Sequence, residues 1–264
     1  MMNILVPVGN PENAVETLKY ALDFAAEFDA QVYAIEVLTL GSRAGELTNV
    51  KEKVVESSQG RMRELLGQLG TPGKKVKIAT YAGDLVDGLK KISEELAIDL
   101  IIIAPRSVEI DEDLYLGNTS GRIIKRTDIP TLIVPKGTVF KPYKNILTSF
   151  RSGILKRKRI LNPLIALKNK FGARVDLLMV KTPNYTDDDL RIHTALMDIA
   201  SQVTMTEQAT TYLGTLEHLQ SHNPDLLCVF RRKRGFFKSL WEKNTIPKSE
   251  FSARIPVLVL SVKK

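Results

Sequence analysis

The chain has 264 residues, 44% of them apolar and 26% charged; residues 1–140 carry 16 Lys+Arg against 20 Asp+Glu, and residues 141–264 carry 22 against 10, so halves of −4 and +12 make up the net +8. This composition excludes a disordered chain and allows two ordinary domains. No apolar run approaches the roughly 18 residues of a membrane span, the start MMNILVPVGN lacks a secretory signal pattern, and the single cysteine, Cys228, forms no internal disulfide, so a cytoplasmic protein is expected.

In chain order, NILVPV (3–8) reads as a buried strand. After a turn at Asn10-Pro11, Ala14, Leu18, Ala21, Leu22 and Ala25 recur at helical spacing. QVYAIEVL is a second strand, and Val50 to Leu69 a polar-faced helix closed by Gly70-Thr71-Pro72-Gly73. KVKIATY is a third strand ended by Gly83; Asp84 then caps a helix carrying Leu85, Leu89, Ile92 and Leu96. DLIIIA is a near-continuous apolar strand, as central parallel strands are. A helix from Asn118 to Arg126 and the strand TLIVP complete the first half.

The second half repeats this order. KNILTSF matches the first strand at an offset of 142, and Asp225–Ser261 aligns without a gap to Asp99–Pro135 at an offset of 126. Both 37-residue stretches keep Asp-Leu, Asn-Thr and Ile-Pro. A long basic helix is expected through ILKRKRILNPLIALKNKF, with Pro163 kinking it or marking its true start. RVDLLMV is a strand, DDDLRIHTALMDIASQ is expected as one helix with acids in its first turn, and QATTYLG is matched to KIATYAG, which pairs Gly214 with Gly83. The drop in offset places a net loss of 16 residues in the middle of the second copy.

Strand–helix alternation with buried runs means an α/β fold of two tandem doubly wound parallel-sheet domains, expected at residues 1–140 and 141–264. Ligands of such sheets bind beyond the carboxyl ends of the strands. In the first copy that edge carries Gly9-Asn10, Gly83 and the loop from Arg106 to Gly117; in the second it carries Arg151, Gly214 and the loop from Arg231 to Lys243.

These features resemble the universal stress protein family, as two fused family domains over nearly the whole chain. Nucleotide-binding members carry Gly-x2-Gly-x9-Gly-Ser/Thr after the fourth strand, where backbone N–H groups and a helix N-terminus meet phosphates. Here the frame reads Ala104-x2-Ser107-x9-Gly117-Asn118, with Thr119 one residue beyond the expected hydroxyl. The family's Asp at the end of the first strand is Gly9 in this chain. The second copy reads Phe230-x2-Lys233-x9-Lys243-Asn244 and keeps no motif glycine. The resemblance therefore implies a non-catalytic stress-response or regulatory protein whose first domain is the better candidate for weak ATP or AMP binding. It places phosphates near Gly117, Asn118 and Thr119, and the base near Val8, Gly9 and Val37. It also implies pairing of the two copies through their last strands, or a homodimer. The second domain is then degenerate, and a scaffold that has lost nucleotide binding but holds a protein partner is the main alternative.

Other signals are weaker. His218 and His222 share a helix face at i, i+4, but no motif places a third ligand, so no metal is expected. No Gly-x-Ser-x-Gly elbow and no complete phosphate-binding P-loop is present, so no dedicated catalysis is expected; the Ser/Gly-rich loop of the related nucleotide alpha-hydrolases is absent from VPVGNPENA. Cys228 lies in an apolar run and reads as a buried inert thiol. RRKRGFFKSLW (231–241) reads first as a solvated basic turn before packing aromatics, with an anion site or a nucleic-acid patch as sharper readings.

Overall fold

The computed structural model describes residues 2–9, 11–38, 48–69, 76–104, 118–232 and 255–262. The chain forms two compact units. The first holds β1 (Asn3–Pro7), α1 (Pro11–Phe28), β2 (Gln31–Leu38), α2 (Thr48–Gln68), β3 (Val76–Ala82), α3 (Leu85–Glu95), β4 (Leu100–Ile103) and α4 (Asn118–Arg126). Its sheet runs in the order β3-β2-β1-β4, all parallel, with Ile4 between Val32 and Leu100. Ile4, Leu5, Ile101 and Ile102 are fully buried, which is why these strands read as unbroken apolar runs. From α1, Ala14, Leu18, Ala21 and Ala25 face the core as their spacing predicts.

The second unit holds β5 (Thr131–Ile133), β6 (Asn145–Phe150), α5 (Asn162–Phe171), β7 (Arg174–Lys181), α6 (Thr194–Met197), β8 (Gln202–Glu207), α7 (Thr211–His222), β9 (Leu226–Arg231) and β10 (Val257–Ser261). Its strand order is β5-β10-β9-β6-β7-β8, and only the β5–β10 pair is antiparallel. A boundary after residue 140 assigns β5 to the first domain by sequence, whereas its ladder to β10 places it with the second compact unit. The register is symmetric: Leu132 faces Leu258, its own counterpart at offset 126. Within the second unit Thr131 and Ile133 likewise stand opposite Val259 and Val257.

Three expectations for the second half are corrected. The long basic helix is a 3-10 turn (Lys158–Leu161) followed by α5, with Pro163 in the first turn, where its missing N–H is not needed. The acidic segment is not one helix but a 3-10 turn (Asp187–Leu190), an extended Arg191 and the four-residue α6. Its polar groups are spent elsewhere: Asp189 closes a capping box with Thr186 and pairs with Arg151, and His193 N–H donates to the Gly153 carbonyl. Finally, QATTYLG is not the third strand, which is β8; it runs from the end of β8 into α7. The 126 offset extends back instead. Thr210 caps α7 as Asp84 caps α3, and Gly214 matches Gly88. Both glycines are buried and let their helix close on the sheet, though on different strands: a Cβ would stand 2.4 Å from Tyr81 of β3 in the first unit and 2.7 Å from Val180 of β7 in the second.

Candidate functional site

At the carboxyl edge of the first sheet, the Val8 N–H still donates to the Ile35 carbonyl at 2.7 Å, so the chain leaves β1 alongside β2. Val8 is buried, while Gly9 is exposed with nothing within 4 Å of where a Cβ would stand. These two residues, Glu36 from β2, and Arg61, Met62 and Leu65 from α2 line a cleft of about 250 Å³. Val8, Met62 and Leu65 form its apolar part. The polar part is organised around Glu36, whose carboxylate accepts from Ser58 Oγ at 2.5 Å and from the Arg61 guanidinium at 3.0 Å. Arg61 also donates to Ser57 Oγ at 2.9 Å, one helical turn away. Such a cleft can hold a flat apolar body with polar edges.

Val37 follows Glu36 in β2, so strand alternation turns its half-buried side chain to the other face, away from this cleft. Ala104 is half-buried just after β4, on the same edge. Asn118 and Thr119 open α4, the helix expected from Asn118 to Arg126. Ser107, Gly117 and the side chains of Asn118 and Thr119 lie outside the described residues. One turn into α4, Arg122 donates to the carboxylate of Asp84. That bond, with the Val86 and Asp87 N–H groups of the cap, holds the Asp84 carboxyl below its ordinary range. Sequence reading missed Glu36 and Arg61. The available signal was Glu36 itself, a charge inside the apolar run QVYAIEVL.

The second unit carries larger side chains at the same edge. At offsets 142 and 126, Val8, Gly9 and Ala104 become Phe150, Arg151 and Phe230. The two phenylalanine rings are buried with centroids 6.0 Å apart. Arg151 donates to the Asn184 carbonyl at 2.6 Å and to Asp189 at 3.1 Å. Arg232 donates to the carbonyls of Ser152 and Ile154 at 3.0 and 2.5 Å and lies over the Phe230 ring. Arg231 donates to Ser261 Oγ. Burial raises the Asp189 carboxyl, but bonds from Thr186, Ser152 and Arg151 outweigh it and leave the group below its ordinary range. Cys228 is buried and its thiol is pushed up by desolvation, as an inert thiol should be. His218 and His222 bond backbone carbonyls of their own helix, and among the described residues no cluster of three metal-ligating side chains occurs. The aromatics of RRKRGFFKSLW beyond Arg232 lie outside the described residues.

Comparison with known proteins fits this architecture. Residues 1–135 match the model of the Universal stress protein family. Universal stress protein MJ0531 of Methanocaldococcus jannaschii is 26% identical over 138 residues, which cover 50% of this chain and 81% of that protein. Over 99% of this chain, the fold is similar to a universal stress protein from Archaeoglobus fulgidus, with a TM-score of 0.71, 19% identity and 98% of that chain covered. A functionally unknown protein from Pseudomonas aeruginosa is similar over 98% of this chain and 92% of its own, with a TM-score of 0.58 and 12% identity. Among the described residues no helix is long and apolar enough to cross a membrane. At these identities the solved structures speak to fold alone; the match over residues 1–135 carries the assignment, and the chain belongs to the universal stress protein family.

Proposed function

We propose that the first unit is a weak adenine-nucleotide site, for ATP or AMP, in a non-catalytic stress-response or regulatory protein of the cytoplasm. The observation that carries this reading is the open cleft beside Gly9, with an apolar part and the Glu36–Arg61 pair at its edge. Nucleotide binding is known for some members of the family, and α4 begins at Asn118, where a helix N-terminus favours phosphate. The family's ribose-side Asp is Gly9 here, and that loss removes a charge-assisted hydrogen bond of about 1.5–3 kcal/mol, roughly ten- to a hundred-fold in affinity. A native mass spectrum of protein purified without added nucleotide, then with ATP, tests this. One ATP per chain, absent from Gly117→Val, is the expected result; a clean unliganded mass with millimolar ATP overturns it.

A second reading, a partner-binding scaffold that has lost nucleotide, is favoured by one specific feature: Ala104 and Ser107 stand where the motif has glycines. In that case the mass spectrum stays clean and Gly117→Val changes nothing.

A further inference from the structure

The second unit's edge holds two guanidiniums that no interaction within the described residues fully satisfies. Arg151 stands at the position of Gly9, and Arg232 follows β9 in the segment that in the first unit becomes the phosphate-loop frame. Three chain segments converge on them. Residues 151–154 supply Arg151 and two carbonyls for Arg232; residues 184–189 supply a carbonyl and the Asp189 carboxylate for Arg151; residues 230–232 supply Arg232 and the ring beneath it.

In each arginine a single terminal nitrogen, Nη2, makes all of these bonds. The Nε of each is buried and has no hydrogen-bond partner among the described residues. A buried donor left unmet is costly, and on a charged group more so, so such a pair needs an explanation. Burial disfavours the charged form of Arg232, and Asp189 offsets this while Arg151 adds to it, which sets the two cations within each other's field. Among the described residues Asp189 is the carboxylate that acts on both guanidiniums, one negative charge against two positive.

We infer that Arg151 and Arg232 form a binding site for a small tetrahedral oxyanion of the phosphate class, as inorganic phosphate or as the phosphoryl group of a small monoester. Planar guanidinium forks match two oxygens at a time, and a dianion with several oxygens serves both forks and neutralises the excess charge. The carbonyls of Asn184, Ser152 and Ile154 fix the forks in advance. Phe150 and Phe230 are larger than Val8 and Ala104 at the matching positions of the first unit, so the ligand is the anion and not a whole nucleotide. This chemistry differs from a glycine loop, in which backbone N–H groups meet the phosphate, and it does not rest on the nucleotide reading of the first unit.

The test is calorimetry of the full chain with inorganic phosphate at low salt, paired with the arginine Nε–H resonances in proton–nitrogen spectra. The parent should bind phosphate, and the Nε–H signals of Arg151 and Arg232 should move with the titration. Arg151→Met and Arg232→Met should each weaken binding about tenfold or more, while Lys90→Met, at an exposed position of α3 in the first unit, should leave it unchanged. Phosphoserine and AMP distinguish the sources: a monoester that moves the same two signals identifies a phosphoryl ligand, and phosphate alone identifies the free anion. If a Met variant fails to fold, Arg232→Lys keeps the charge without the fork and should still weaken binding several-fold. A parent that binds no phosphate, signals that stay still, or variants that bind as the parent does would each overturn the inference.

Discussion

At the carboxyl edge of the first sheet, Val8 and Gly9 line a cleft; at the matching positions of the second stand the larger Phe150 and Arg151, with Phe230 in place of Ala104. The scaffolds beneath are alike: parallel strands in matching order, a capped helix after the third, and a buried glycine at the same helix position. Both units keep what the sheet needs, the apolar strands and a buried glycine, Gly88 or Gly214, where the helix closes on the sheet. They differ at the loop ends, where side chains answer to ligands and not to the core. The polar groups differ in the same way. In the first unit Glu36 and Arg61 pair beside the cleft; in the second Asp189 and Arg151 tie the 184–193 segment to the edge.

Substitutions can break or sharpen this contrast. The largest effect is expected from Phe230→Ala, which should cost about 3–5 kcal/mol because it empties a packed aromatic site. Val8→Ala at the open edge removes two buried methyl-sized groups and should cost only about 1.6 kcal/mol, at roughly 0.8 for each. Urea unfolding of both variants measures the gap; equal costs would mean the edges are equally packed. Next, Gly153→Ala should cost about 1–3 kcal/mol, because its Cβ would stand 2.6 Å from the Ile192 Cα, a backbone atom that cannot easily give way. Gly9→Ala meets nothing within 4 Å and should lie within about 0.5 kcal/mol of the parent. Thr210→Ala removes the cap that accepts the Leu213 N–H at 3.2 Å, and should lower stability by about 1 kcal/mol.

The smallest change is one of slope. The Asp189 carboxyl lies below its ordinary range in the folded chain, so its ionised form adds stability above about pH 4, lost as pH falls through the folded value. Urea midpoints at pH 5 and pH 3 should therefore differ less for Asp189→Asn than for the parent. An unchanged difference would mean that Arg151 and the Thr186 turn do not hold this carboxylate in solution.

Much of the fold was legible in the sequence because buried parallel strands cannot disguise themselves: NILVPV, QVYAIEVL and DLIIIA admit few other readings. The second copy's middle was not. The acidic segment 187–202 has helical composition, yet Arg151 and Gly153 draw its polar groups into a 3-10 turn, and no local pattern reports a partner more than thirty residues away. QATTYLG looked like KIATYAG letter by letter, but the fixed offset from Asp99 and Asp225, carried backwards, pairs Gly214 with Gly88. Of the residues that line the cleft, Val8 and Gly9 were readable from the family frame. Glu36, Arg61 and Ser58 were not, because their roles arise only when α2 lies across β2.

The central proposal is that the first unit's cleft takes a nucleotide and that the larger side chains at the equivalent positions of the second do not admit one. Grafting the second edge onto the first tests it most directly: ATP calorimetry on the parent, on Gly9→Asp, and on the double variant Gly9→Arg with Ala104→Phe. The account predicts one weak ATP per chain for the parent, binding about ten- to a hundred-fold tighter for Gly9→Asp, and none for the double variant in a chain that still folds. A double variant that binds ATP as well as the parent would contradict it.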